Sequence, residues 1–110
     1  MDFLAKLKAA ARTRDSWLCV GLDPIVERLP DCLPRSSAGV TTFCHRIIES
    51  TAPHACAFKP NVAFFEALGR DAFFVLEDVV SSVPEDIPVI LDAKRGDIGS
   101  TAHLYARSYF

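Results

Sequence analysis

The chain has 110 residues, of which 50% are hydrophobic and 24% charged, with a net charge of −2; this is the composition of a folded globular protein without a disorder signature. That balance excludes the basic footprint expected of a partner for nucleic acid or an anionic membrane. Lys6 and Lys8 interrupt any signal-like apolar core at the start, and no run approaches the roughly 18 apolar residues that cross a bilayer, so the expected location is the cytoplasm.

In chain order the sequence alternates helix and strand. Phe3, Leu4, Leu7, Ala10 and Ala11 form a helical stripe that stops near Asp15-Ser16. Trp17-Leu18-Cys19-Val20-Gly21-Leu22 is an unbroken apolar run, read as a buried strand, and Asp23-Pro24 ends it. Ile25 to Ser37, with Pro30 and Pro34, reads as a loop. Val40, Phe43, Cys44, Ile47, Ile48 and Thr51 recur at helical spacing and stop before Pro53. Ala55-Cys56-Ala57-Phe58 is a second strand, ending in Lys59 and then Pro60-Asn61. Ala63 to Leu68 reads as a short helix stopped by Gly69, and Phe73, Leu76, Val79, Val80 and Val83 form the stripe of the next.

Val89-Ile90-Leu91 then predicts a third strand, and four charges follow at its C-terminal end: Asp92, Lys94, Arg95 and Asp97. Arg95-Gly96 offers a turn, and Asp97 before Ile98-Gly99-Ser100-Thr101-Ala102 looks like the N-cap of a last helix. A strand-end salt bridge and a capped helix would account for these residues without any chemistry. The parity of the strands argues for more. Cys19, Gly21 and Asp23 share one face of the first strand, Ala55, Ala57 and Lys59 one face of the second, and Ile90, Asp92 and Lys94 one face of the third. Each strand thus delivers a charge at its C-terminal end. Barrel enzymes assemble their sites there, so the expected fold is α/β, the N-terminal part of a (β/α)8 barrel with about three of its eight strands, and no G-x-G-x-x-G supports a dinucleotide fold.

Cys19, Cys32, Cys44 and Cys56 include no C-x-x-C pair, so they read as reduced, mostly buried thiols and not as a zinc site or a disulfide framework. Trp17 and the eight phenylalanines read as packing residues, and His45, His54 and His103 stand at no ligand spacing.

Phe58-Lys59-Pro60-Asn61 with Ala63-Phe64-Phe65-Glu66, and above all Leu91-Asp92-Ala93-Lys94-Arg95-Gly96-Asp97-Ile98-Gly99-Ser100-Thr101-Ala102, resemble the orotidine 5′-phosphate decarboxylases. Gly21-Leu22-Asp23-Pro24 fits the first strand of that family. The resemblance implies catalytic roles for Lys59, Asp92, Lys94 and Asp97, with Lys94 protonating C6 of the pyrimidine as carbon dioxide leaves. It further implies that Asp97 enters the site of a neighbouring subunit, and that Asp23, Lys59 and Thr101 contact substrate. A homodimer acting on a small nucleotide, without cofactor or metal, follows from it. So does the conversion of orotidine 5′-phosphate to uridine 5′-phosphate in pyrimidine biosynthesis.

The chemistry agrees with such an array. Loss of carbon dioxide leaves charge localised on an sp2 carbon, which a preorganised ammonium stabilises, and flanking Asp92 and Asp97 favour the charged form of Lys94. A complete barrel needs roughly 250 residues, so residues 1–110 are expected to be one incomplete barrel domain, an N-terminal portion inactive alone. Two alternatives stand beside this reading: a related barrel decarboxylase of a sugar phosphate, and a truncated, inactive chain that serves as an assembly partner.

Overall fold

The computed structural model describes residues 1–110. Helix α1 spans Phe3–Arg14; the Asp2 carboxylate accepts from the Ala5 N–H at 2.7 Å, and Asp15, at φ 47°, ends the helix in the left-handed region. Strand β1 (Leu18–Leu22) leads through a short turn at Val26–Arg28 to α2 (Ser37–Thr51). The hydroxyl of Ser36 caps α2 by accepting from Gly39 N–H at 3.4 Å. Strand β2 (Ala55–Pro60), α3 (Val62–Glu66), α4 (Ala72–Ser81) and α5 (Gly99–Tyr109) complete the order.

β1 and β2 are parallel, with Gly21 opposite Lys59 and Leu22 opposite Pro60. The expected third strand is present only in part. Residues 88–92 run parallel to β2 but join it as two isolated bridges, Phe58 with Val89 and Asn61 with Asp92. Phe58 N–H donates to Pro88 O, Ile90 N–H to Phe58 O, Asp92 N–H to Pro60 O and Val62 N–H to Asp92 O. The rung missing from that parallel ladder is the one residue 60 would donate to Ile90, and proline has no N–H to give. Pro60 therefore divides the ladder without displacing the segment.

Helices α2, α3 and α4 pack together against one face of this sheet. Val40, Cys44 and Ile48 of α2, Val75, Leu76 and Val79 of α4, and Phe58, Phe65 and Ile87 form a single core cluster. Phe58 and Phe65 are fully buried, each worth on the order of 2 kcal/mol of transfer free energy. A smaller cluster joins Ala10 and Ala11 of α1 to Cys56 and Ala57. Arg14 fastens the end of α1: its Nε donates to Ala52 O at 2.8 Å and its Nη2 pairs with Asp86 at 2.8 Å. His45 and Asp78, 3.0 Å apart, link α2 to α4.

Three expectations change. Trp17 is 82% exposed and β1, read from sequence as a buried strand, buries only Leu22; Phe74 also faces solvent, and Phe73, half exposed, meets the Tyr109 ring at 5.7 Å between centroids. All four cysteines are free, as expected, but only Cys44 and Cys56 are buried, while Cys19 and Cys32 are exposed. Asp97 is not the N-cap of α5. That position falls to Ile98, because Gly99 takes φ 52° and delays the helix; the Asp97 carboxylate accepts from the Ile98 N–H at 2.7 Å, one residue ahead. No helix is long and apolar enough to cross a membrane.

Candidate active site

The opposite face of the sheet, where α1 packs on Ala57, carries charges at its C-terminal end. Parity and register set Lys59 beside Gly21 on β1, and the pairing of Phe58 with Val89 puts Ile90 on its other side. One step further along, Asn61 bridges Asp92, and its Nδ2 donates to Asp23 Oδ2 at 3.1 Å. Lys59 Nζ stands 3.7 Å from Asp92 Oδ2, and Lys94 Nζ donates to that same oxygen. Of the six residues singled out from sequence, Lys59, Asp92 and Lys94 thus meet directly, and Asp23 joins them through Asn61.

Asp97 and Thr101 do not join this group. Both are exposed; Asp97 accepts only from Ile98, and Thr101 lies in the first turn of α5 outside the cleft that the array borders. That cleft, about 710 Å³, opens between the 90–97 segment and α5, with Lys59, Asp92, Lys94 and Asp97 on its wall.

Electrostatics hold the centre of the array ionised. The hydrogen bond from Lys94 is the largest influence on Asp92 and, with the charge of Lys59, keeps its carboxyl below the ordinary carboxylate range against the opposing pull of desolvation. Lys94 itself sits at φ 51°, a left-handed backbone that costs a side-chain-bearing residue on the order of 1 kcal/mol and needs support from its surroundings. No group of three or more His, Cys, Asp or Glu is arranged to hold a metal ion.

Four residues that border or support the array were not singled out from sequence. Asn61 was legible by parity alone, two places after Lys59 on the same face. Its Oδ1 is buried without a donor. Glu66, Arg95 and Tyr109 form a cluster whose members are far apart in the chain: Arg95 Nη2 lies 2.5 Å from Glu66 Oε1, and Tyr109 Oη donates to that oxygen at 2.8 Å. No local periodicity announces such a contact.

Residues 16–110 match the family model of the orotidine 5′-phosphate decarboxylase / HUMPS family. The chain belongs to this family. Among curated orotidine 5′-phosphate decarboxylases, that of Roseiflexus castenholzii is 54% identical over 110 residues, covering 100% of this chain and 40% of the relative. That of Herpetosiphon aurantiacus is 53% identical over 108 residues, with 98% and 40% covered. A Toxoplasma gondii structure assigned to orotidine-monophosphate decarboxylase superposes with a TM-score of 0.92 at 49% identity, covering 99% of this chain and 37% of that one. The Leishmania donovani OMP decarboxylase gives 0.82 at 44%, with 98% and 39% covered. The chain therefore spans about 40% of the length of the curated decarboxylases it matches. Its fold is the N-terminal part of their (β/α)8 barrel.

Proposed function

We propose that this chain supplies the N-terminal part of a single barrel domain that decarboxylates orotidine 5′-phosphate to uridine 5′-phosphate, a cytoplasmic step of pyrimidine biosynthesis. The bond between C6 and the carboxylate breaks, its electron pair stays on C6, and carbon dioxide leaves. Lys94 Nζ then gives C6 a proton. Asp92 holds that ammonium in place, and Lys59 completes the alternation of charge around the reacting carbon. Because the charges are fixed before the substrate arrives, little reorganisation is needed as negative charge develops. The step uses side chains only, without cofactor or metal.

The observation that carries this reading is the convergence of Lys59 and Lys94 on one oxygen of Asp92, at strand ends of a chain in this family. Asp23 and Thr101 are assigned to the ribose of the substrate. Asp97 is assigned to the site of a second subunit in a homodimer, which is supported by its exposed place on the cleft wall without an ion pair to its own chain. The sugar-phosphate alternative has less support, since the curated relatives at 42–54% identity are orotidine 5′-phosphate decarboxylases.

The test joins residues 1–110 to the remainder of the Roseiflexus castenholzii decarboxylase. The chimera is expected to consume orotidine 5′-phosphate, and Lys94→Ala to abolish turnover while nucleotide binding persists. Turnover retained by Lys94→Ala would overturn the role of Lys94. A folded chimera that ignores the nucleotide but decarboxylates a sugar phosphate would move the assignment to the other branch. Residues 1–110 alone are expected to show no turnover.

A further inference from the structure

The two motifs that carry the family resemblance each contain a charge that the proposed chemistry leaves unused, Glu66 in the first and Arg95 in the second. These two residues find each other. Arg95 Nη2 stands 2.5 Å from Glu66 Oε1, Tyr109 Oη closes on the same oxygen at 2.8 Å, and the guanidinium lies 5.7 Å from the ring centroid of Tyr105. Arg95 Nη1 also donates to Ala93 O at 3.3 Å. The arginine is thus engaged by a carboxylate, a carbonyl and a ring, with its charge matched inside the chain, which leaves it poorly placed to bind an anionic ligand.

The residue before it is Lys94, at φ 51°. A left-handed backbone at a lysine persists only when its neighbours hold it from both sides. On the N-terminal side Asp92 is fixed to β2 and to the start of α3, its N–H donating to Pro60 O and its carbonyl accepting from Val62 N–H. On the C-terminal side Gly96 and Asp97 are exposed, and the anchor is the side chain of Arg95.

We propose that the Arg95–Glu66 pair, closed by Tyr109, is a positioning clamp that fixes the backbone of Lys94 and so sets where its ammonium stands, without touching the substrate. The proposal rests on the reading of Lys94 as proton donor. Because Tyr105 and Tyr109 belong to the second half of α5, the clamp also ties the start of the 95–98 loop to that helix. Asp97 lies on that loop, so the same contact sets its place on the cleft wall.

Glu66→Gln removes the charge of the partner at constant size and is the first variant to make, in the chimera described above. The expected result is a fall in kcat of between about tenfold and a hundredfold, since small misplacements of a catalytic group have effects of that order, with KM changed less than about twofold. The charge-reversed pair Glu66→Arg with Arg95→Glu is expected to recover much of the loss, which a general loss of stability would not allow. Unchanged kcat in Glu66→Gln would overturn the clamp. So would an unchanged kcat with a KM raised about tenfold or more, because that pattern marks loss of direct substrate binding. If the parent chimera shows no decarboxylation, the reading of Lys94 fails separately. The clamp is then judged by amide hydrogen exchange in residues 1–110, where Glu66→Gln should speed exchange over residues 93–98; unaltered exchange there would overturn it.

Discussion

Lys59 and Lys94 face the same oxygen, Asp92 Oδ2, from two separate segments of chain. Lys59 is delivered by the end of β2 and Lys94 by the left-handed turn that follows the 88–92 segment. One carboxylate between two ammoniums draws both cations together at the C-terminal strand ends.

Asp92→Asn leaves that geometry sterically intact and removes the charge that organises it. Turnover in the chimera is expected to fall on the order of 100-fold or more, as when one preorganised electrostatic partner is removed from a site. The melting temperature should fall only slightly, because pairs this open to solvent contribute no more than about 1 kcal/mol each. Steady-state kinetics and a circular dichroism melt on the same preparation check both halves.

Stability should decline modestly on acidification, because three carboxylates are depressed in the folded state: Asp92, Glu66 and Asp86. Glu66 is held below its ordinary value of 4.5, chiefly by the Tyr109 hydroxyl and then by Arg95, and Asp86 below 3.8, chiefly by Arg14. A carboxylate depressed in the folded state contributes stability that is present above its unfolded pKa and lost as pH falls through the folded one. Melting temperatures measured from about pH 6 to pH 3 should therefore drop. Glu66→Gln should melt lower near neutral pH and show a shallower acid slope.

Gly39 sits in the first turn of α2, where an added Cβ would lie 1.9 Å from Pro34 O and 3.2 Å from Leu29 Cδ1. Alanine has the better helix propensity by up to about 1 kcal/mol, yet overpacking against backbone costs about 1–3 kcal/mol, so Gly39→Ala is expected to destabilise. The shift of the urea midpoint, with an unchanged slope, would measure it.

The four thiols should separate into two classes. Cys19 and Cys32 are exposed, whereas Cys44 is fully buried in the core and burial pushes its thiol up to about 12. A chromogenic disulfide reagent at neutral pH should titrate two thiols of residues 1–110 in the native state and all four in denaturant. Cys19 should be the slower of the exposed pair below pH 9, since desolvation, and then the neighbouring Cys56, raise its pKa.

Features that depend on short-range chemistry were legible in the residues themselves. Apolar stripes at 3.6-residue spacing marked the helices, unbroken apolar runs marked β1 and β2, and alternation assigned Lys59 and Asp92 to one face, whereas Lys94, expected there by the same alternation, reaches Asp92 through a left-handed turn. The same alternation would have added Asn61. Tertiary structure decided what depends on partners distant in the chain. Pro60 reads as a strand terminator from sequence, but only its pairing beside Ile90 shows that its missing N–H divides the third ladder into two bridges. The cap of α5 went to Ile98 because the backbone at Gly99 outweighed the side-chain preference of Asp97. Glu66, Arg95 and Tyr109 come from three separate elements, and their meeting depends on how α3 and α5 lie against the end of the sheet. Periodicity is a property of one element, whereas that contact is a property of three packed together.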